Sequence, residues 1–313
     1  MENLIFSLNA TVPVFAMMVL GMLFKKLGWI DDVFASKMNK FVFLVPLPVL
    51  VFEDLATTDF YSVWDTKFVI FCFIATLLSI ALVTLISLFQ DRDLQGEFVQ
   101  VSYRSSAALL GIALMKNIYG SSAMAPLMII GSVPLYNIMA VVVLSCLKPG
   151  GEGLTRKTMI KTIKGILTNP ILIGIFVGLI WSILQLPLPT ALSKVVSNLG
   201  SIASPLGLMA MGASFNFKQA LTKIKPTLIA AFMKLCGFVI LFLPIAVSLG
   251  FTNEKLIAIL VMLGSSSTVS CYVMAKNMGH EGTLTSSVVM LTTLLCGFTI
   301  TFYLFLLKSR GLV

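Results

Sequence analysis

The chain has 313 residues, of which 58% are hydrophobic and 11% charged, with a formal net charge of +9 and mean hydropathy +1.00. Soluble domains carry roughly 25% charged residues, so an ordinary water-exposed domain is excluded. The basic excess is not a nucleic-acid footprint either, because the lysines and arginines lie in short loops between apolar runs rather than in one patch.

A helix needs about 20 apolar residues to cross a hydrocarbon layer of roughly 30 Å. On that length the sequence predicts ten spans, at 4–24, 38–57, 68–89, 98–117, 124–146, 165–185, 191–213, 228–249, 255–276 and 284–307. Met1-Glu2-Asn3 lacks the positive segment of a signal peptide, so the first run is expected to stay as a span. Span 2 carries Pro46 and Pro48 in its middle and closes on Glu53 and Asp54. Those carboxylates are either candidates for carrying a coupling proton or sodium ion, or a solvated helix end.

Span 4 reads Tyr103-Arg104-Ser105-Ser106-Ala107-Ala108-Leu109-Leu110-Gly111. Arg104 is an ionisable group at span depth, a functional candidate by default. It either binds a carboxylate bidentately or snorkels to the interface. In span 5, Tyr136 and Asn137 follow Pro134 and place a polar pair inside an apolar run, as helix glue or as a substrate contact. The stretch 148–164 is Gly-rich and basic and reads as a cytoplasmic linker. Lys234 in span 8 poses the same choice as Arg104, with snorkelling favoured. Span 9 reads Gly264-Ser265-Ser266-Ser267-Thr268-Val269-Ser270, small and polar where a span should be apolar.

Ten spans leave both termini on one side. Fourteen of the 22 Lys and Arg residues fall on the opposite side and six on the terminal side, with Arg104 and Lys234 inside spans. The positive-inside rule then puts the central loop in the cytoplasm and both termini outside it.

An overlay at 160 residues brings Asn9 onto Asn169, Ser105-Ser106 onto Ser265-Ser266, and Lys116-Asn117 onto Lys276-Asn277. At a slightly shorter offset Ala35-Ser36-Lys37 meets Leu192-Ser193-Lys194, and Val45-Pro46-Leu47-Pro48 faces Ala203-Ser204-Pro205-Leu206. The expected architecture is an all-α membrane protein of two five-helix repeats, 1–147 and 165–313. Five is odd, so the second repeat enters the membrane inverted, as in secondary transporters. Such proteins place their site at broken helices, whose free backbone groups survive only where they line a cavity or pack in protein. Arg104, Ser105, Ser106, Gly111, Asn137, Ser265, Ser266, Ser267 and Thr268 are therefore the candidate substrate-binding residues, the alternative for the serines being close helix packing.

Enzyme motifs (GxSxG, HExxH, P-loop) are absent from the sequence, and His280 is its single histidine. Cys72, Cys146, Cys236, Cys271 and Cys296 lie in apolar stretches without a CxxC, so they read as packed thiols rather than metal ligands, and no cofactor is expected. A channel or a non-transporting receptor is the alternative class.

Pro46-Leu47-Pro48, Pro134-Leu135-Tyr136-Asn137, Ile166-Leu167-Thr168-Asn169-Pro170, the run from Pro205 to Ala213 and Val269-Ser270-Cys271-Tyr272-Val273-Met274-Ala275 occur in an order and spacing that resembles the auxin efflux carrier family. That family includes plant PIN proteins and bacterial malate or malonate permeases. The resemblance implies ten helices with helices 4 and 9 broken where they cross at the substrate site. It also implies an elevator movement of helices 3–5 and 8–10 against a scaffold of helices 1, 2, 6 and 7, and commonly a homodimer. The family's helix 4 has an Asn two residues after its Arg, then Gly and Gly-x-Pro; here those positions hold Ser106, Ala108 and Gly111-Ile112-Ala113. Ser267 replaces the proline of helix 9, so both crossover prolines are missing. Gly111 and Ser266-Ser267-Thr268 still allow a break. The short central loop is similar to bacterial members, and the expected protein is a cytoplasmic- or inner-membrane permease for a small organic anion, drawn to the crossing of helices 4 and 9 by helix dipoles and Arg104.

Overall fold

The computed structural model describes residues 13, 16–57, 64–106, 124–150, 164 and 167–313. Most of the predicted span 4–24, the second half of 98–117 with Gly111 and Ala113, and the start of 165–185 lie outside the described residues.

The described residues are helical throughout, without strands. In chain order the helices are α1 (16–26), α2 (Asp32–Leu44), α3 (Pro46–Ala56), α4 (Thr66–Ser87), α5 (Gln95–Tyr103), α6 (Ala125–Cys146), α7 (Pro170–Ile183), α8 (Thr190–Ser201), α9 (Ala203–Ser214), α10 (Phe217–Thr222), α11 (Ile224–Phe232), α12 (Phe238–Ser248), α13 (Asn253–Gly264), α14 (Val269–Asn277) and α15 (Thr283–Ser309). Seven continuous or broken helices among the described residues have the length and apolarity to cross a membrane, and α7 is a shorter apolar helix. On α15 the buried Cys296, Ile300, Tyr303, Leu304 and Leu307 face the protein, while the exposed Phe298, Phe302 and Phe305 face outward. Rings exposed in this way suit lipid rather than water.

Prolines and caps set the helix limits. Pro46 lacks an N–H and its ring crowds the carbonyl of the preceding turn, so the second span breaks at Val45, whose φ −125° and ψ −72° are not helical. The seventh span breaks near its own proline, between Ser201 and Ala203. Asn169 begins α7: its side-chain oxygen accepts from the backbone N–H of Ile171 at 2.9 Å and Leu172 at 3.4 Å, and Pro170 fills the first helical position.

The broken pairs lie across each other. α2 packs on α9 and α3 on α8, so each half of one broken span meets the opposite half of the other. α7 packs on α3, where Gly174 faces the Pro48 carbonyl and Gly178 the Phe52 carbonyl. In the same manner Gly21 of α1 and Gly212 of α9 each face a partner backbone, at Met209 and Met18. The first and seventh spans thus approach as the sixth and second do. A Cβ at Gly212 would collide with the Met18 carbonyl, which backbone cannot evade. Gly212→Val is expected to destabilise the purified protein by about 1–3 kcal/mol, read as a lower melting temperature in detergent; an unchanged melt would show that these helices separate freely.

The remaining helices form a second group. α4 packs on α5 and α6, and α12 on α13; α5 packs on α6 as α13 does on α15. This group holds two further interruptions, after α5 and after α13.

Candidate functional site: two interrupted helices that meet

α5 ends at Tyr103, and Arg104 leaves it extended, at φ −74° and ψ 130°. α13 ends at Gly264, and residues 265–268 are non-helical before α14 starts, with Ser265 (φ −75°, ψ 165°) and Thr268 (φ −87°, ψ 147°) extended. The two non-helical stretches meet, and the Ser106 N–H donates to the Ser266 carbonyl at 2.9 Å. Helical breaks inside a bilayer strand carbonyls that need partners. Here each broken helix supplies them to the other. The Ser105 hydroxyl donates to the Met262 carbonyl of α13, and the Ser267 hydroxyl donates to the Val101 carbonyl of α5 at 2.7 Å. Tyr136 of α6 also donates to Met262 at 3.2 Å. The Ser267 N–H, which a continuous helix would aim at the Leu263 carbonyl, donates instead to Thr292 Oγ1 at 3.1 Å. No proline is needed, because serine side chains hold the break open.

Arg104 is 4% exposed and points into this crossing, so it does not snorkel. Its Nη2 donates to Asn137 Oδ1 at 2.8 Å and Ser270 Oγ at 3.0 Å, and its Nη1 contacts Met274 Sδ. All three partners are neutral. Ser270 sits in the first turn of α14, where the Thr268 side chain accepts from the Ser270 N–H, and free N–H groups there favour an anion. Buried polar atoms normally have partners. Among the described residues six buried side-chain atoms have none, and Arg104 Nε, Gln100 Oε1 and Ser265 Oγ are three of them. Their concentration here marks a place that can hydrogen-bond something else.

The structure therefore brings together Arg104, Ser105, Ser106, Asn137, Ser265, Ser266, Ser267 and Thr268; Gly111 lies outside the described residues. Glu53 and Asp54 stand elsewhere. They are half-buried on α3, with Glu53 against Gly200 of α8, in the proline-broken pair. Gln100, Met274 and Thr292 were not singled out from the sequence. Gln100 precedes Arg104 by four residues, hence one turn of the same helix face, and was the one with a readable signal.

Two interrupted helices that meet at a polar centre, inside a body of apolar helices, fit an integral membrane protein. Residues 6–304 match the family model described as membrane transport protein. The chain belongs to that family, the auxin efflux carriers that its motifs resemble, and it is a family of transporters and not of enzymes. A protein of Rhizobium meliloti (strain 1021) named "Putative malonate transporter" is 23% identical over 313 residues, covering 96% of each chain.

Proposed function

We propose that the chain is a permease for a small organic anion, bound at the crossing of the fourth and ninth spans. The observation that carries this is the buried Arg104 guanidinium, whose partners are all neutral. A cation that deep is expensive unless a counter-charge arrives, and a carboxylate fits the planar fork. The α14 N-terminus adds to the attraction. Malonate is the first anion to try, from the name of the Rhizobium relative.

In this reading the chain has ten spans in two inverted repeats, 1–147 and 165–313, joined by the 148–164 loop. The matching approaches of Gly21 and Gly212, and of Gly174 and Gly178, support that symmetry. The proline-broken group, spans 1, 2, 6 and 7, is the scaffold, and spans 3–5 and 8–10 carry the crossing past it as an elevator. The protein works as a homodimer in the bacterial inner membrane with both termini extracytoplasmic. Glu53 and Asp54 are the weaker candidates for a coupling proton or sodium ion, held on the scaffold side.

The test begins with thermal stabilisation of the purified protein by a panel of small carboxylates including malonate, since a ligand of the folded state raises its melting point. Proteoliposome counterflow with the hit follows, because saturable exchange separates a carrier from a channel or a receptor. Ser106→Leu and Ser267→Leu should each lower that uptake at least tenfold while still melting cooperatively, because a leucine fills the crossing and, at 267, also leaves the Val101 carbonyl unmet. Normal uptake by both would sink this site.

A further inference from the structure

Lys234 is fully buried and has no carboxylate partner among the described residues. Its Nζ donates to the Leu263 carbonyl at 2.8 Å and lies 6.0 Å from the centre of the Phe238 ring. The three ion pairs of the described residues, Lys25–Asp32, Lys223–Glu281 and Lys255–Asp65, do not include it. Leu263 is in the last turn of α13, at the negative end of that half-helix. Its carbonyl is free for Lys234 because the Ser267 N–H turns away to Thr292.

The backbone around Lys234 is shaped for this. Met233–Gly237 is a π-helical turn between α11 and α12, in which the Phe238 N–H reaches back five residues to the Met233 carbonyl. Such a turn inserts a residue, re-aims its side chains and recurs at functional sites. The counterpart 160 residues earlier is Ile74, so only the second half has the cation.

In transporters with broken helices, the C-terminal ends of half-helices and the unwound carbonyls beside them hold the coupling cation. We propose that the Lys234 ammonium occupies a monovalent-cation site at the C-terminal end of α13, as a tethered substitute for sodium. It rests on the reading of the crossing as a transport site and adds that the carrier runs without sodium, which leaves Glu53 and Asp54 a proton as the coupling ion. Removing the side chain opens the site to a free cation, sodium or a small alkylammonium.

The experiment is a thermal melt of the full-length protein in detergent, in sodium, potassium, methylammonium or choline chloride at one ionic strength. Wild type should melt alike in all four. Lys234→Ala should melt lower in choline and regain about 2–4 °C in methylammonium or sodium, with saturation. Lys234→Met, which refills the space without charge, should show no cation response. Lys234→Ser replaces the alanine variant if that fails to fold. Selective stabilisation of wild type by sodium would overturn the proposal, and so would a cooperatively melting Lys234→Ala or Lys234→Ser that ignores every cation. No carboxylate is present in this melt, so its failure is distinct from failure of the anion reading, which the carboxylate panel decides.

Discussion

Arg104→Ala is expected to weaken carboxylate binding severely while leaving the protein folded. Truncating one member of a buried, hydrogen-bonded charge pair costs roughly 2–5 kcal/mol, so affinity for the stabilising carboxylate should fall between about 30-fold and several thousand-fold. Arg104→Lys keeps the charge and loses the planar fork, so it should recover only part of that loss. Isothermal titration or a scintillation proximity assay with the carboxylate identified by thermal shift reads the change. The alanine variant should melt near or above wild type without ligand, since an unpaired cation has left a buried site. Undiminished affinity in a folded Arg104→Ala would remove the guanidinium from the substrate site.

Glu97→Ala should be the most destabilising single change away from the crossing. Glu97 is 1% exposed on α5, and its carboxylate accepts the Gly282 N–H at 2.7 Å, the Thr285 N–H at 3.0 Å and the Thr285 hydroxyl at 2.9 Å. α15 begins after Gly282, which is left-handed at φ 78° and has no side chain to cap the helix. The cap comes instead from 185 residues earlier in the chain. Removing it leaves two N–H groups buried at the positive end of a 27-residue helix, a loss of about 2–4 kcal/mol. The melting temperature should drop by roughly 5–15 °C. Glu97→Gln, which keeps an accepting oxygen, should fall between the two. A Glu97→Ala protein as stable as wild type would mean that water caps α15 equally well.

Some of this was legible in the residues. Apolar length marked the membrane helices. Asn169-Pro170 announced the start of α7, and paired serines at 105–106 and 265–267 located both breaks. These signals are local, because a cap, a proline or a small polar run acts through its own backbone. Side-chain direction was not legible. In α11 and α12 apolar residues surround the whole helix, so no polar face tells which way Lys234 turns. The sequence favoured snorkelling, whereas the π-helical turn and the free Leu263 carbonyl draw it fully inside. Glu97 was equally opaque. A lone acid near the start of a span looks solvated until the fold brings Gly282 to it.

The exchange of serines at the crossing ties the two halves of the chain to a common history. Ser105 of the first half satisfies Met262 of the second, and Ser267 of the second satisfies Val101 of the first. Neither half can drift on its own, for a substitution in one is felt as an orphaned carbonyl in the other. If the halves descend from one duplicated ancestor, that ancestor met a second copy of itself at this same point. Chimaeras that join the first half of one relative to the second half of another should then survive only where both serines travel together.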